Sequence, residues 1–377
     1  MPLRIGSVAL SLFLILLAGC ASDEARPPET PPPKEPPLTA GVQLSAVSFS
    51  QLPDWERDRF REAFPALHRS CTRLERRAAD QALMAGDPRF GRVSHWQQIC
   101  AAAKRTSSDD RHVRRFFEEW FTPYSVENDG SPEGLFTGYY EPLLRGSWRR
   151  NPRYTVPLYR PPPNNTGAAL PSRAAIRNGA LTGRGLELLW VDSEVDAFFL
   201  EIQGSGRVQL ETGEQVRVGY AGKNGHSYFP IGRELIRRGE IASEQMSMQA
   251  IRAWLKNNPR EAPALMDLNP AVVFFRIVEG EGPIGAQGVA LTAGRSIAVD
   301  PAYVPYSVPV FLDTTDPLSP GTPIRRLMIA QDTGGAIKGP IRGDVFWGFG
   351  ETAAARAGLM KQPGRWYLLL PRAAAGR

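Results

Sequence analysis

Short apolar, β-branched and aromatic runs alternate with turns rich in glycine, proline and asparagine from residue 135 to residue 370. Runs of this length bounded by turn residues are typical of β-strands. The 36 glycines and 34 prolines of the 377-residue chain also favour strands and turns over a helical bundle. The sequence therefore predicts a mainly β fold with added helices. The candidate strands are residues 188–190, 197–202, 207–210, 215–220, 272–277, 288–291, 296–299, 309–312 and 327–330.

Helical patterns precede these strands, in residues 41–128. Apolar residues recur there at intervals of three and four, as on one face of a helix. Asp54 is placed to cap a helix over residues 55–64, and Ser108-Asp109 to open another that runs through residues 116–120. Two further helices, residues 231–238 and 247–257, are predicted among the strands. The pattern indicates two β-dominated domains with helices packed at their edges.

The N-terminus has the form of an export signal. Arg4 precedes an apolar run over residues 8–17, which is too short to anchor stably across a bilayer and predicts a cleavable signal peptide, residues 1–19. The sequence Leu17-Ala-Gly-Cys20 matches a bacterial lipoprotein box, in which the cysteine is acylated and becomes the new N-terminus. The alternative is an ordinary signal peptide with a chance cysteine. Ala21 is not the aspartate that retains lipoproteins in the inner membrane, so the resemblance implies an outer-membrane anchor facing the periplasm.

A proline-rich stretch follows Cys20, and residues 20–40 are predicted to be the lipidated cysteine and an extended tether. A periplasmic address excludes functions that need ATP or the chromosome and leaves the cell-wall glycan within reach. The net charge of +6 is small and dispersed, whereas nucleic-acid binding requires a clustered basic face. No nucleic-acid partner is therefore expected.

Two cysteines remain after Cys20 is assigned to the lipid. An even remainder in an oxidising compartment predicts a disulfide between Cys71 and Cys100. The alternative is a pair of buried free thiols. The four histidines are scattered, without the spacing of metal ligands, so no metal site is expected.

Aspartates mark the candidate site near the C-terminus. An apolar strand is predicted to deliver Asp332 to a Gly-Gly turn, and Asp344 follows twelve positions later at the start of an aromatic strand. Asp300 ends another strand. Aromatic neighbours raise the pKa of a carboxyl by desolvation, as a general acid requires near neutral pH. The alternative is that each aspartate only forms a turn through its own backbone; taken together, they favour an active site.

The same segments resemble the membrane-bound lytic murein transglycosylase A family of bacterial lipoproteins. The resemblance covers the lipoprotein box and nearly all of residues 135–370. It is carried by long motifs at residues 136–142 (FTGYYEP), 170–175 (LPSRAA), 202–206 (IQGSG), 219–228 (GYAGKNGHSY), 246–252 (MSMQAIR), 269–275 (NPAVVFF) and 326–350.

The resemblance implies a double-psi β-barrel domain and a second, inserted β-domain, with a groove between them. The expected divisions are an N-terminal helical part of the barrel domain (41–140), the inserted β-domain (141–278) and a three-aspartate part of the barrel domain (279–372).

The resemblance also implies cleavage of the bond between N-acetylmuramic acid and N-acetylglucosamine in peptidoglycan, giving a 1,6-anhydro product. In the family the aspartate that opens the aromatic strand is the single acid and base, which maps to Asp344, and Asp332 is expected to assist it. Neither metal nor cofactor is implied. The candidate substrate-binding residues are Thr137, Tyr139, Tyr140, Gln203, Ser205, Lys223, Asn224, His226 and Asp300.

Two other functions remain open from the sequence. One is a hydrolase that uses Asp332 and Asp344 as a conventional pair and releases a reducing sugar. The other is a non-catalytic glycan-binding lipoprotein. The expected partners are glycan strands and the outer membrane, with cell-wall synthesis or division proteins as further candidates.

Overall fold

The computed structural model of the chain describes residues 41–163, 170–280 and 282–374. The predicted signal peptide, the lipidation site Cys20 and the proline tether lie outside the described residues. The helices are α1 (Phe60–Leu74), α2 (Val93–Ala103), α3 (Asp110–Trp120), α4 (Arg173–Ala175), α5 (Glu194–Gln203), α6 (Ile231–Arg237), α7 (Met248–Asn257), α8 (Ala262–Asp267) and α9 (Glu351–Leu359). Within these ranges no helix is both long and apolar enough for a membrane crossing.

Within the described residues the strands form two separate sheets, one of eight strands and one of six. They are β1 (Val42–Ala46), β2 (Phe121–Asn128), β3 (Gly134–Glu141), β4 (Leu143–Ser147), β5 (Val156–Tyr159), β6 (Glu187–Val191), β7 (Ser205–Leu210), β8 (Gln215–Lys223), β9 (Val273–Ile277), β10 (Ser296–Val299), β11 (Pro309–Thr315), β12 (Pro323–Asp332), β13 (Arg342–Phe349) and β14 (Lys361–Pro371). The mainly β fold with added helices predicted from the sequence is confirmed.

The larger sheet closes on itself. Its strands run in the order β1-β2-β14-β11-β12-β10-β13-β3, and β14 pairs with β3 as well. The six strands from β14 to β3 therefore form a ring that leaves β1 and β2 as an extension. Two of its pairings are parallel, β10 with β12 and β13 with β3. Parallel neighbours need long connections, and the chain between β3 and β10 supplies the whole second sheet.

The second sheet has the order β5-β6-β4-β7-β8-β9. Its inner face packs on α5 around a core that includes Leu189, Leu200 and Val208, all fully buried. A neighbouring core joins α5 to α6, α7 and α8. Helix α5 thus contributes buried side chains to two cores at once.

This double burial explains one wrong prediction. Residues 197–202 were expected to form a strand, but they lie in α5. Ser193 caps the helix, since its Oγ accepts a hydrogen bond from the Asp196 N–H at 3.1 Å. Ala197 and Leu200 face one core while Phe198 and Phe199 face the other. An apolar run that is buried on both sides lacks helical periodicity, and so looks like a buried strand.

Two other predicted elements differ from the structure. The helix expected over 55–64 is a single 3₁₀ turn (Trp55–Arg57) followed by α1, because Asp54 has a left-handed φ of 53° and makes no capping bond. Residues 288–291 form no strand; their ladder contact within the described residues is an isolated bridge between Ile284 and Ala290. Helices α3, α6 and α7 are confirmed, and Asp109 caps α3 as expected.

A buried arginine fastens the N-terminal helices to the closed sheet. Arg295 is 3% exposed, and its guanidinium lies 2.9 Å from carboxylate oxygens of both Asp58 and Glu62. It also donates to the Leu327 carbonyl of β12 at 3.0 Å. A buried charge is tolerated only when it is paired and hydrogen-bonded, and here that pairing fixes the start of α1 against the strands.

Cys71 in α1 and Cys100 in α2 form a disulfide, with sulfur atoms 2.05 Å apart. The double substitution Cys71→Ala/Cys100→Ala is expected to lower the free energy of unfolding by about 3–4 kcal/mol, because a loop of this length is no longer closed in the unfolded chain. Denaturant titration of both proteins measures the difference. Labelling of the unreduced, denatured parent protein by a thiol reagent at these positions would contradict the disulfide.

One carboxylate joins the two sheets. Glu141 ends β3, and its side chain is 1% exposed; it pairs with Arg207 of β7 at 3.2 Å and with Arg217 of β8 at 3.0 Å. The Arg207 guanidinium also lies 3.6 Å over the ring of Phe349 in β13. The last residue of a strand in the closed ring is thereby held by two strands of the other sheet.

Glu141→Gln is expected to lower the free energy of unfolding by about 3–5 kcal/mol, because it leaves two largely buried guanidinium groups without their counter-charge. Thermal or denaturant unfolding checks this. Glu127→Gln, a half-buried position on β2 with no side-chain ion pair among the described residues, is the matched control. Equal stability losses for the two variants would be the contrary result.

Candidate active site

The two aspartates of the C-terminal motif lie on either side of one strand. Asp332 is the last residue of β12 and Asp344 is in β13, and both are paired with Ala298 of β10, which runs between them. Neighbouring strands lie about 4.8 Å apart, so the two backbones are about 10 Å apart across the sheet. Residues twelve positions apart in sequence are thus brought to the same edge of the ring.

Asp344 is held by a hydroxyl from the parallel neighbour strand. Thr137 is its register partner in β3, and the Thr137 Oγ1 donates to Asp344 Oδ1 at 2.6 Å. That hydroxyl in turn accepts a hydrogen bond from Arg342 Nη2 at 2.9 Å. Burial raises the pKa of the Asp344 carboxyl to about 6, against the opposing effects of the Thr137 hydrogen bond and the Arg342 charge; the nearby Asp332 carboxylate adds to the rise.

Asp332 has a richer set of donors. Its Oδ2 accepts from the Tyr139 hydroxyl at 2.7 Å, and its Oδ1 accepts from the backbone N–H of Ala286 at 2.8 Å and of Thr333 at 2.9 Å. Burial raises the pKa of this carboxyl while the three hydrogen bonds oppose the rise. Three donors stabilise the ionised form and occupy most of the carboxylate's acceptor positions.

The alternation of β3 decides which of its side chains reach the aspartates. Thr137 and Tyr139 are two apart and lie on one face, where each bonds to a different aspartate. Tyr140, which was predicted to bind substrate beside them, points to the opposite face and is 8% exposed within the main core. Its backbone N–H donates to Gln203 Oε1 at 3.0 Å.

Asp300 shapes the loop between the two aspartates. It is 6% exposed, and its carboxylate accepts from the backbone N–H of Gly339 at 2.9 Å and of Ala302 at 3.2 Å. Both acceptor oxygens are therefore used to hold backbone, which favours a loop-anchoring role over the contact with substrate expected from the sequence.

The site therefore has one carboxyl that exchanges its proton near neutral pH and a second that is fixed by three donors. Such a pair suits a reaction in which one group first gives a proton and then takes one. Among the described residues, no three His, Cys, Asp or Glu side chains are grouped as a metal site would require.

Comparison with known proteins identifies the family of the chain. Residues 135–276 match the family described as the MltA specific insert domain, and residues 295–370 match the 3D domain. The membrane-bound lytic murein transglycosylase A of Escherichia coli K12 is 37% identical over 295 residues, which are 76% of this chain and 79% of the relative. The chain belongs to the membrane-bound lytic murein transglycosylase A family.

Solved structures of the family share the fold. A membrane-bound lytic murein transglycosylase from Agrobacterium tumefaciens matches with a TM-score of 0.80 and 35% identity, covering 88% of this chain and 99% of that one. The Escherichia coli MltA structure with bound chitohexaose matches with a TM-score of 0.67 and 30% identity, covering 87% and 94%.

The remaining predicted site residues of this family member form no hydrogen bond to Asp332 or Asp344 among the described residues. Two of them lie near β3, and three lie farther along the second sheet and its loops. Gln203 ends α5 and bonds to the backbone of Tyr140, and Ser205 starts β7 and is 8% exposed. Asn224 is 1% exposed, and its amide bonds to the backbone of Pro171, Pro270 and Val272. His226 contacts the Leu170 carbonyl at 2.7 Å, and Lys223 is exposed at the end of β8.

Sequence reasoning assigned no role to two residues that shape the site. Arg342 donates a hydrogen bond to the Thr137 hydroxyl and so orients it. Tyr306 lies near Asp332: burial raises the pKa of Tyr306, and the charge of Asp332 adds to the rise. Arg342 lies two residues before Asp344, and on a strand that spacing puts both side chains on one face. The two-residue spacing of Arg342 and Asp344 is visible in the sequence, whereas no sequence feature points to Tyr306.

The pH dependence of kcat/KM tests the carboxyl assignment. If the protonated Asp344 is the reactive form, kcat/KM falls about tenfold per pH unit above its pKa of about 6. Thr137→Val removes a bond that stabilises the carboxylate, so the falling limb moves up by about one pH unit or more, because a hydrogen bond to a charge contributes about 1.5–3 kcal/mol.

Thr315→Val at the far end of β11 is the control for this substitution and is expected to leave the profile in place. A limb that moves to lower pH in Thr137→Val would show that Thr137 does not stabilise the ionised form.

Proposed function

We propose that this protein is a lytic transglycosylase that cleaves the β-1,4 bond between N-acetylmuramic acid and N-acetylglucosamine in peptidoglycan, with Asp344 as its single acid and base. The observation that carries the assignment is the asymmetry of the two aspartates. Among the described residues, Asp344 has a pKa of about 6 and one hydrogen-bond donor, the neutral Thr137 hydroxyl, whereas Asp332 accepts three hydrogen bonds.

The reaction begins with the protonated Asp344. Its proton passes to the glycosidic oxygen as the bond from that oxygen to C1 of N-acetylmuramic acid breaks, and the electron pair leaves with the N-acetylglucosamine. The 6-hydroxyl of the same muramic acid then attacks C1, and its proton returns to Asp344. Water is not consumed, and the product carries a 1,6-anhydro ring. Because the nucleophile belongs to the substrate, no second carboxylate is needed to activate it.

Thr137 and Asp332 position this carboxyl. The Thr137 hydroxyl, itself oriented by Arg342, fixes one oxygen of Asp344 and leaves the other for the substrate. Asp332 accepts a hydrogen bond from the Tyr139 hydroxyl, and the Tyr139 ring lies 5.2 Å from the ring of buried Phe346, so the tyrosine is fixed between the second aspartate and the strand that carries Asp344. The negative charge of Asp332 also favours a protonated Asp344.

A conventional hydrolase with two carboxylates is the second candidate from the sequence. It would require Asp332 to activate water or attack the sugar, but its oxygens already accept from Tyr139, Ala286 and Thr333. The third candidate, a binding protein without activity, would give no reason for a pKa near neutrality at Asp344. The transglycosylase mechanism accounts for both the fully hydrogen-bonded Asp332 and the near-neutral pKa of Asp344.

For the fold, we propose that the closed ring is a double-psi β-barrel and that the glycan lies in a groove between it and the second sheet. The proposed divisions remain 41–140 and 279–372 for the barrel domain and 141–278 for the inserted domain. The six-strand closure and the passage of the chain through the second sheet between β3 and β10 support this. The relative with chitohexaose bound supports a glycan as the ligand.

We also propose that Cys20 carries a lipid that anchors the protein in the outer membrane, with the enzyme in the periplasm. The lipoprotein box supports it, as do the relatives described as membrane-bound. Cell-wall synthesis or division proteins are the partners expected at this location.

Asp344→Asn is expected to retain binding to isolated peptidoglycan and to lose product formation by at least about a thousandfold, because an amide cannot donate and recover the proton. Mass analysis of the digest identifies the anhydro product, which is one water lighter than a reducing end. Asp129→Asn, exposed in the turn after β2 and outside the six-strand ring, is the control. Release of anhydro product by Asp344→Asn at the parent rate, or of reducing sugars only by the parent, would refute the proposal.

A further inference from the structure

A pocket adjoins the two aspartates from the side of α1. It has a volume of about 480 Å³ and lies between the end of α1 and the loops before β10 and β11. We call it the arginine pocket; among its lining residues are Arg73, Arg76, Arg77, Ala286, Tyr306 and Ser307.

The pocket shares a wall with the candidate active site. The backbone N–H of Ala286, in this wall, donates to Asp332 at 2.8 Å. Tyr306, in the same wall, is close enough to Asp332 and Asp300 for their charges to add to the effect of burial in raising its pKa. A polymer lying at the aspartates therefore has the arginine pocket directly beside it.

The charge of the pocket is unbalanced. Arg73, Arg76 and Arg77 have no carboxylate partner in the described part of the chain, and no aspartate or glutamate lines the pocket there. The adjacent Glu75 pairs instead with Lys104 at 2.6 Å. Three guanidinium groups at one place repel one another, and a bound anion relieves that repulsion.

The arrangement is also fixed in place. Arg73 Nε donates to the Gln287 carbonyl at 3.1 Å, and Gly288 makes room for the guanidinium, because a Cβ there would lie 2.3 Å from Arg73 Nη2. Gln97 bonds to the carbonyls of Leu74 and Arg77, and the disulfide at Cys71 ties this end of α1 to α2. The end of α1, which carries Arg73, is thus docked on the loop that carries Ala286.

We propose that the arginine pocket binds carboxylates of the peptide attached to muramic acid, and so distinguishes murein from uncharged glycans. This inference rests on the proposed function. N-acetylmuramic acid differs from N-acetylglucosamine by a lactyl group, which bears a peptide with free carboxylates in murein. Arginine forms paired hydrogen bonds to carboxylates. An extended peptide covers about 3.3–3.6 Å per residue, so a few residues cross from the glycan into an adjoining pocket.

The test compares two substrates, glycan strands that carry their peptides and the same strands after an amidase has removed them. In Arg76→Gln/Arg77→Gln, kcat/KM on the peptide-bearing strands is expected to fall about tenfold, since two charged contacts are lost, while kcat/KM on the bare strands stays within about twofold. Arg76 and Arg77 bond to no part of the aspartate cluster, so the basal reaction is preserved. Arg76→Lys/Arg77→Lys is expected to recover part of the loss.

Arg111→Gln/Arg115→Gln on the exposed face of α3 removes the same charge outside the pocket and is the matched control. A second readout is independent of turnover: with Asp344→Asn, the affinity for a peptide-bearing disaccharide should exceed that for the bare disaccharide, and this difference should disappear in Arg76→Gln/Arg77→Gln.

Equal losses on both substrates, no loss on either, or the same loss in the α3 control would overturn the inference while the parent still releases anhydro product. Failure of the proposed function is a different result, in which the parent releases no anhydro product from either substrate.

Discussion

The parallel pairing of β3 with β13 is the contact on which the site depends. It puts Thr137 opposite Asp344 and, two residues on, brings Tyr139 to Asp332. A shift of one residue in this register would turn both side chains to the other face of β3, where Phe136 and Tyr140 are packed in the core. The hydrophobic face of the strand therefore also determines the position of its polar face.

The two aspartates differ because of their neighbours rather than their chemistry. Both lie in surroundings that disfavour the ionised form, but Asp332 ends its strand, where the backbone N–H groups of Ala286 and Thr333, from two different loops, point at it. Asp344 lies within its strand, where the ladder uses the nearby backbone groups, and so in the described part of the chain it accepts only from a side chain. The division of labour between a fixed carboxylate and an exchanging carboxyl follows from where each strand ends.

The sequence predicted the class of fold, most strands and the aspartate cluster, because these depend on local periodicity and on turn residues. It failed where burial on two sides removed the periodicity, as in α5, and where a left-handed residue displaced a helix start, as at Asp54. The site was predicted in outline, yet Tyr140, Asn224 and Asp300 were grouped with the substrate contacts. Their hydrogen bonds to backbone, and the partners of Thr137, depend on strand register, which composition and motif spacing do not fix.

The hydrogen bond between Thr137 and Asp344 joins residues 207 positions apart. A ribosome therefore completes one half of the site, and then the whole second sheet, before the other half exists. During that interval β3 has no neighbouring strand to pair with. Glu141 at its end is the residue of β3 whose ion-pair partners, in β7 and β8, are synthesised first. Closure of the ring is consequently a late event of chain assembly, and a chain that ends before β13 lacks Asp344 and with it the acid and base of the proposed reaction.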